Sequence, residues 1–212
     1  MEQVVVIDAG SGNLNSVLRA VQVCAQRLGK PARVTVTHDA EQVLHADRIV
    51  LPGQGAFAAC MHGLQRREGL IEALEAAVLR RGAPLLGICV GMQLLAEIGL
   101  EHGAQRGLGW IGGVCRPLQP GLGRIPHMGW NTAVPCSAHP VFAPLGAGRA
   151  VYFAHSYIVA DAPAHAIAAE TEHNEKFACA LARDTIAAVQ FHPEKSQETG
   201  LAVLSQFLSW RP

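Results

Sequence analysis

Residues 3–7 form a short β-branched run that stops at Asp8-Ala9-Gly10-Ser11-Gly12, which predicts a buried strand entering a glycine turn. A helix is predicted over 14–28. Residues 34–37 and 48–51 repeat the strand pattern, and the second runs directly into Pro52-Gly53-Gln54-Gly55. Leu64, Ile71, Leu74 and Val78 then recur at helical spacing, with Glu68, Glu72 and Glu75 early, Arg80 and Arg81 late and Gly82 as a stop. This is the most strongly patterned helix in the chain, predicted over 64–81. Residues 83–88 read as a fully apolar strand, and 90–98 as a helix that leaves it after a corner of one residue. Strands alternating with helices in this way predict an α/β fold, with a mostly parallel central sheet and helices on both faces.

From about 105 to 180 the pattern changes to short alternating segments separated by turn residues, at 110–118, 127–134, 151–159 and 177–182. Antiparallel strands and hairpins that extend the sheet fit this texture. Residues 186–191 return to the buried-strand pattern, and Leu201, Leu204 and Leu208 mark a last helix that would cover the sheet. Nothing reads as a linker, a repeat or a low-complexity stretch. The 212 residues, 50% hydrophobic, are therefore expected to build a single domain, 1–212, around one core.

Charge narrows the function. Lysine plus arginine and aspartate plus glutamate both total 17, so no net field draws the chain to nucleic acid or to an anionic membrane. No stretch approaches the roughly 20 apolar residues that span a bilayer, and the first residues lack the basic-then-apolar order of a secretion signal. A cytoplasmic protein with its six cysteines reduced is the expectation. The cysteine and histidine spacings contain no CxxC or HxxxH pair, so neither a metal site nor a cofactor is expected. Gly10-Ser11-Gly12 invites a dinucleotide reading, but Asn15 stands where that fingerprint needs its third glycine.

The chemistry concentrates at two strand ends. In Leu85-Leu86-Gly87-Ile88-Cys89-Val90-Gly91-Met92-Gln93 a cysteine lies between glycines two before and two after, at a strand-to-helix corner. This is a nucleophile elbow built on sulfur: the tight turn brings neighbouring backbone close and lifts the side chain above the carboxyl edge of the sheet. A helix starting there would also favour the thiolate, the reactive form. A cysteine nucleophile needs a base, and Phe191-His192-Pro193-Glu194 supplies one at the end of another buried strand. In extended chain Glu194 shares a side with His192 and can fix its tautomer, leaving the other nitrogen for Cys89. His155, in Tyr152-Phe153-Ala154-His155-Ser156-Tyr157, has no carboxylate two or three positions away and reads as structural or substrate-shaping. The turn at Gln54 and Gly55 presents backbone N–H groups to a developing oxyanion, with the Val90 N–H as second donor.

With the elbow, Gln190-Phe191-His192-Pro193-Glu194 and Pro52-Gly53-Gln54-Gly55 in hand, the chain resembles the class I, triad-type glutamine amidotransferases, whose order Cys, His, Glu it matches. Within that class DAGSGNLNSV (8–17), IPHMGWN (125–131), YFAHSY (152–157) and QFHPEKS (190–196) are similar to the glutaminase subunits of imidazole glycerol phosphate synthase. Ala9 departs from an aromatic residue frequent in that family, without touching a catalytic role. The resemblance implies that Gln93 and Glu101 contact the amide and amino ends of bound glutamine, and that the Ser156 and Tyr157 backbone holds its carboxylate. It further implies a heterodimer whose partner is the cyclase subunit, docked on a face that includes Asn13, Asn15, Trp130, Tyr157 and Lys195, although Trp130 reads equally well as core.

The implied reaction is hydrolysis of glutamine through a cysteinyl thioester, with the ammonia passed to the cyclase, which makes imidazole glycerol phosphate and aminoimidazole carboxamide ribotide in histidine biosynthesis. Two alternatives stand beside it. One is the glutaminase subunit of another synthase, such as anthranilate synthase, against which IPHMGWN and YFAHSY weigh. The other is a silent scaffold subunit, which need not keep Cys89, His192 and Glu194 together.

Overall fold

The structure, a computed structural model, describes residues 1–10 and 12–212; Ser11 of the Gly10-Ser11-Gly12 turn lies outside the described residues. Along the chain run β1 (Glu2–Ile7), α1 (Leu14–Arg27), β2 (Ala32–Thr37), α2 (Ala40–Leu44), β3 (Arg48–Gly53), α3 (Phe57–Gln65) and α4 (Leu70–Glu75), which continues as a wider π turn over Ala76–Arg80. β4 (Leu85–Cys89), α5 (Val90–Gln93), β5 (Ile98–Gly99), β6 (Gln105–Arg106), β7 (Val114–Pro117), β8 (His127–Pro135) and β9 (Arg149–His155) follow. The chain ends in β10 (Tyr157–Ala160), β11 (Ile167–His173), β12 (Glu175–Arg183), β13 (Ile186–Val189) and α6 (Gln197–Ser209).

Nine strands form one sheet in the order β2-β1-β3-β4-β13-β12-β11-β8-β9. Pairing is parallel from β2 through β13 and antiparallel from β13 to β9. Every residue of β3, β4 and β13 is buried. Since successive strand residues point to opposite faces, both faces of this part are covered. β8 instead alternates between buried and exposed positions, as a strand with one solvated face does. The predicted α/β class with an antiparallel extension is what the chain adopts. A smaller sheet, β10-β7-β5-β6, packs beside it.

Two predicted helices are corrected. The span 64–81 is not one helix: α3 ends at Gln65, and Gly69 with φ of 70° separates it from α4. A left-handed residue cannot sit inside a right-handed helix. The apolar periodicity bridged the break because Leu64 and Leu70 are both fully buried. The helix predicted over 90–98 is a single turn. The carbonyls of Leu94, Leu95, Ala96 and Glu97 accept from the amides of Leu108, Ile111, Gly109 and Gly107, so a distant loop takes the acceptors that a longer helix would use. The segment 151–159 is broken at Ser156 into β9 and β10, which belong to different sheets, and β11 was not anticipated.

Arg48 opens β3 and is fully buried. Its guanidinium donates to Glu2 Oε1 at 2.7 Å and to the Phe207 and Trp210 carbonyls, both at 2.8 Å, and lies over the Phe207 ring. One planar cation thus ties the starts of β1 and β3 to the C-terminal end of α6, whose last carbonyls lack intrahelical donors. Burial lowers its pKa, opposed by Glu2. Arg48→Met is expected to lower the unfolding free energy by about 3 kcal/mol, because the buried Phe207 and Trp210 carbonyls and the partly buried Glu2 lose this charged donor. Denaturant melts of the two proteins read the difference.

Candidate active site

β3 and β4 run side by side with Gly53 opposite Cys89, so the Pro52–Gly55 turn leaves the sheet next to the elbow. Cys89 has φ of 55° and ψ of −113° and is 4% exposed. Side chains rarely adopt that backbone, and here it is imposed by packing. A Cβ built on Gly91 would meet the Leu51 carbonyl oxygen at 1.8 Å, and one on Gly87 would meet the Gly91 oxygen at 2.9 Å. Only glycine lets α5 lie on the end of β3. Since α5 is one turn long, its dipole is a smaller contributor to the thiolate than a helix over 90–98 would have supplied.

β13 pairs in parallel with β4, Val189 opposite Ile88, so the chain leaving β13 emerges at the same edge as Cys89. His192 is held there from behind. Its amide donates to the Tyr152 carbonyl at 2.9 Å, and Ser196 Oγ donates to the His192 carbonyl at 2.6 Å while accepting from the Tyr152 amide at 2.9 Å. His192 Nδ1 lies 2.9 Å from Glu194 Oε1, whose side chain is 2% exposed. The route differs from the extended one expected: Pro193–Lys195 is a 3-10 turn that folds the carboxylate back onto the ring. The Cys89 thiol also acts on the ring, favouring its charged form. Burial pulls the imidazole pKa down, but the bonds and charges of Cys89 and Glu194 outweigh it and raise it from 6.5 to about 9. At neutral pH this histidine is a proton donor facing sulfur.

His155 is not a competing base. Its Nδ1 lies 3.0 Å from the Tyr157 carbonyl, which can only accept, so Nδ1 carries the proton. Nε2 lies 2.9 Å from His127 Nδ1. Both nitrogens are engaged and burial pushes the pKa down to about 3. His127 is likewise lowered by burial, to about 4. Both rings are held neutral by burial, which fits the reading of His155 as structural or substrate-shaping.

Gln93 and the Tyr157 carbonyl, two of the groups expected to contact glutamine, are hydrogen-bonded to each other. Gln93 is buried and gives its amide hydrogens to the Tyr157 carbonyl at 2.9 Å and to Gln190 Oε1 at 3.1 Å, so its oxygen is what it can offer an incoming carboxamide. The Ser156 carbonyl accepts from Leu118 N at 2.9 Å and the Tyr157 carbonyl from Gln93 and His155. The N–H groups are therefore what this backbone has for a carboxylate, which needs donors. Glu101 Oε2 accepts from the Phe57 amide at 2.7 Å, placing the carboxylate at the start of α3, just beyond the Pro52–Gly55 turn. In that turn the Gln54 carbonyl faces the Cys60 thiol at 3.5 Å, and Gly55 has φ of 88°. Val90 opens α5 directly after Cys89, where amides lack intrahelical acceptors.

Asn13, Asn15 and Lys195 are exposed. Trp130 is 50% exposed, which excludes the core reading. It sits edge-on to Tyr152, and Lys195 Nζ lies 5.8 Å from the centre of the Tyr152 ring. Met128, two residues before Trp130 on β8, is also exposed, so one face of β8 presents apolar side chains to solvent. Gln190 and Ser196 were passed over as functional residues. The signal available was a glutamine at the end of a fully apolar strand, since a buried amide must find partners.

Three comparisons bear on this site. Residues 5–209 match the family model "Glutamine amidotransferase class-I". The chain is 46% identical to the imidazole glycerol phosphate synthase subunit HisH of Caulobacter vibrioides, over 100% of both chains, and 49% identical to that of Zymomonas mobilis, over 99% of this chain and 96% of the relative. In fold it is similar to a putative GMP synthase protein from Thermoplasma acidophilum, with a TM-score of 0.66 and 20% identity over 99% of this chain and 93% of the other. A further solved glutamine amidotransferase gives a TM-score of 0.69 at 17% identity, covering 93% and 94%.

The raised His192 pKa makes two connected predictions. The imidazole resonance should titrate near pH 9, and Glu194→Gln should move it down, since the carboxylate that favours the imidazolium is gone. Because the folded value exceeds the unfolded one, the stability that His192 contributes is full below about pH 6.5 and is lost as pH rises through about 9. Glutamine turnover by Glu194→Gln should fall by about a hundredfold or more.

Proposed function

We propose, from the premise that this chain belongs to the class I glutamine amidotransferases and among them to the imidazole glycerol phosphate synthase subunits, that it hydrolyses glutamine and passes the ammonia to a cyclase partner. One glutaminase domain over 1–212 carries the reaction, in the cytoplasm, within histidine biosynthesis. The observation that carries this reading is Cys89 at the strained end of β4, beside the edge where His192 emerges with its Nδ1 2.9 Å from Glu194.

The Cys89 thiolate attacks the side-chain carboxamide carbon of glutamine. The resulting oxyanion is held by N–H groups of Val90 and of the Gln54–Gly55 turn. His192, protonated at neutral pH, gives its proton to the departing nitrogen, so ammonia leaves and a thioester remains. Water then attacks the thioester as His192 takes its proton, and the sulfur departs to leave glutamate. Glu194 keeps the ring oriented through both halves and stabilises the imidazolium. Gln93 and Glu101 hold the amide and amino ends of the substrate, and the Ser156 and Tyr157 amides its carboxylate.

Ammonia released into water would become ammonium, which is not a nucleophile, so the site must open into a sheltered path in the partner. Asn13, Asn15, Trp130, Tyr157 and Lys195 are assigned to the docking face. Its half-exposed tryptophan is the type of residue that dominates interface energetics. Similarity along the whole chain to subunits of this synthase favours the cyclase over the partner of an anthranilate synthase. A complete triad disfavours a silent scaffold.

Glutamate release from glutamine, measured for the chain alone and then with the cyclase and its ribotide ligand, tests the assignment. A sharp rise in the mixture is expected, and release indifferent to that partner would overturn the pathway. Cys89→Ala should abolish glutamine-dependent synthesis while the complex retains ammonia-dependent synthesis. Trp130→Ala should weaken the complex by about tenfold or more in a binding titration, with the melting curve of the free chain unchanged.

A further inference from the structure

We propose that Gln190 is a catalytic residue of the glutaminase reaction, its side-chain amide donating a hydrogen bond to the Cys89 sulfur and holding it as thiolate. The proposal rests on the reading of Cys89 as nucleophile. Gln190 is fully buried, just beyond β13, with its backbone amide donating to the Cys179 carbonyl at 2.9 Å. Its Nε2 lies 3.7 Å from Cys89 Sγ and its Oε1 accepts from Gln93 Nε2 at 3.1 Å.

The polarity of this chain of amides is fixed at one end by the backbone. Gln93 also donates from Nε2 to the Tyr157 carbonyl at 2.9 Å, an atom that can only accept. The NH2 group of Gln93 must therefore point toward Tyr157 and Gln190. Gln190 must then meet it with oxygen, and what remains for the sulfur is its NH2 group. Flipping either amide would set two donors or two acceptors against each other in a buried site. The sulfur accordingly faces a donor that cannot invert, which favours the charged form.

Gln190 also differs from His192 in timing. His192 surrenders its proton to the leaving ammonia and then serves as base toward water. Gln190 exchanges no proton, so it still donates to the sulfur when the thiolate departs from the second tetrahedral intermediate. His127 and His155 back the chain through the Tyr157 carbonyl, which His155 Nδ1 approaches at 3.0 Å.

The test is the rate of iodoacetamide alkylation of Cys89 against pH in the full chain. It is followed on the Cys89 peptide by mass spectrometry so that the exposed Cys136 does not contribute. Gln190→Leu should react about three- to tenfold more slowly at pH 7, with the profile displaced to higher pH. Gln190→Glu should be displaced further, since its carboxylate still accepts from Gln93 but sets an acceptor against sulfur. A folded Gln190→Glu whose profile superimposes on that of the unaltered chain overturns the proposal. The unaltered chain gives an independent reading: the side-chain amide resonances of Gln190 should shift with pH in step with alkylation, and resonances indifferent to it would also overturn the proposal. Loss of the nucleophile reading is separately visible, as glutamine turnover retained by Cys89→Ala.

Discussion

The backbone contact between Gly91 and Leu51 fixes the position of everything chemical in this molecule. With a Cβ at 91 only 1.8 Å from the Leu51 carbonyl oxygen, α5 can rest on β3 only as it does, and Cys89 is left in a backbone conformation that costs about 1–3 kcal/mol for a residue with a side chain. The compensation comes from burial. Val90, Met92, Leu94 and Leu95 are at most 4% exposed, and each large apolar side chain removed from water contributes about 1.5–3 kcal/mol. The packing of α5 and the residues after it outweighs the strain of the corner, so the sulfur stands at the carboxyl edge of the sheet.

The second constraint is direction. Because β13 is parallel to β4, Cys89 and His192 leave the sheet at the same edge, and one further turn brings Glu194 back onto His192. The antiparallel extension is part of this arrangement. Tyr152 on β9 holds His192 directly and through Ser196, while its ring carries Trp130 and Lys195 on the outer surface. A body pressing on that surface therefore acts one residue away from His192.

The parallel core and the His192–Glu194 pairing were legible because each depends on short-range pattern: apolar runs ending in glycine, and a histidine and a glutamate two residues apart. Boundaries were legible only where the chain itself set them. Leu64 and Leu70 continue one apolar stripe across Gly69, so nothing in the spacing revealed two helices. Leu94 to Glu97 have good helical residues, but loop 107–111 captures their carbonyls, a long-range event that local propensity cannot register. Gln190 and Ser196 were missed for a related reason: their roles lie in hydrogen bonds to residues 101 and 44 positions away. The 3-10 turn at Pro193–Lys195 gave the expected pairing by an unexpected path, since any backbone that returns the carboxylate to Nδ1 satisfies the same chemistry.

Three histidines in this region show how little residue type alone decides. His127 and His155 share a hydrogen-bonded chain that ends on the Tyr157 carbonyl, with no carboxylate against either ring, and burial drives them to about 4 and about 3. His192 is buried as well, yet sits near 9 because Glu194 and Cys89 both favour its cation. The first two resist protonation, and their tautomers stay fixed across the neutral range. That fixed polarity passes from the Tyr157 carbonyl, which also receives Gln93, to the pocket wall. The third is charged, and it alone of the three can give a proton to a leaving group. The pocket thus combines a neutral scaffold of set polarity with one mobile proton. A reaction that needs a thiolate and an acid together at neutral pH requires that combination.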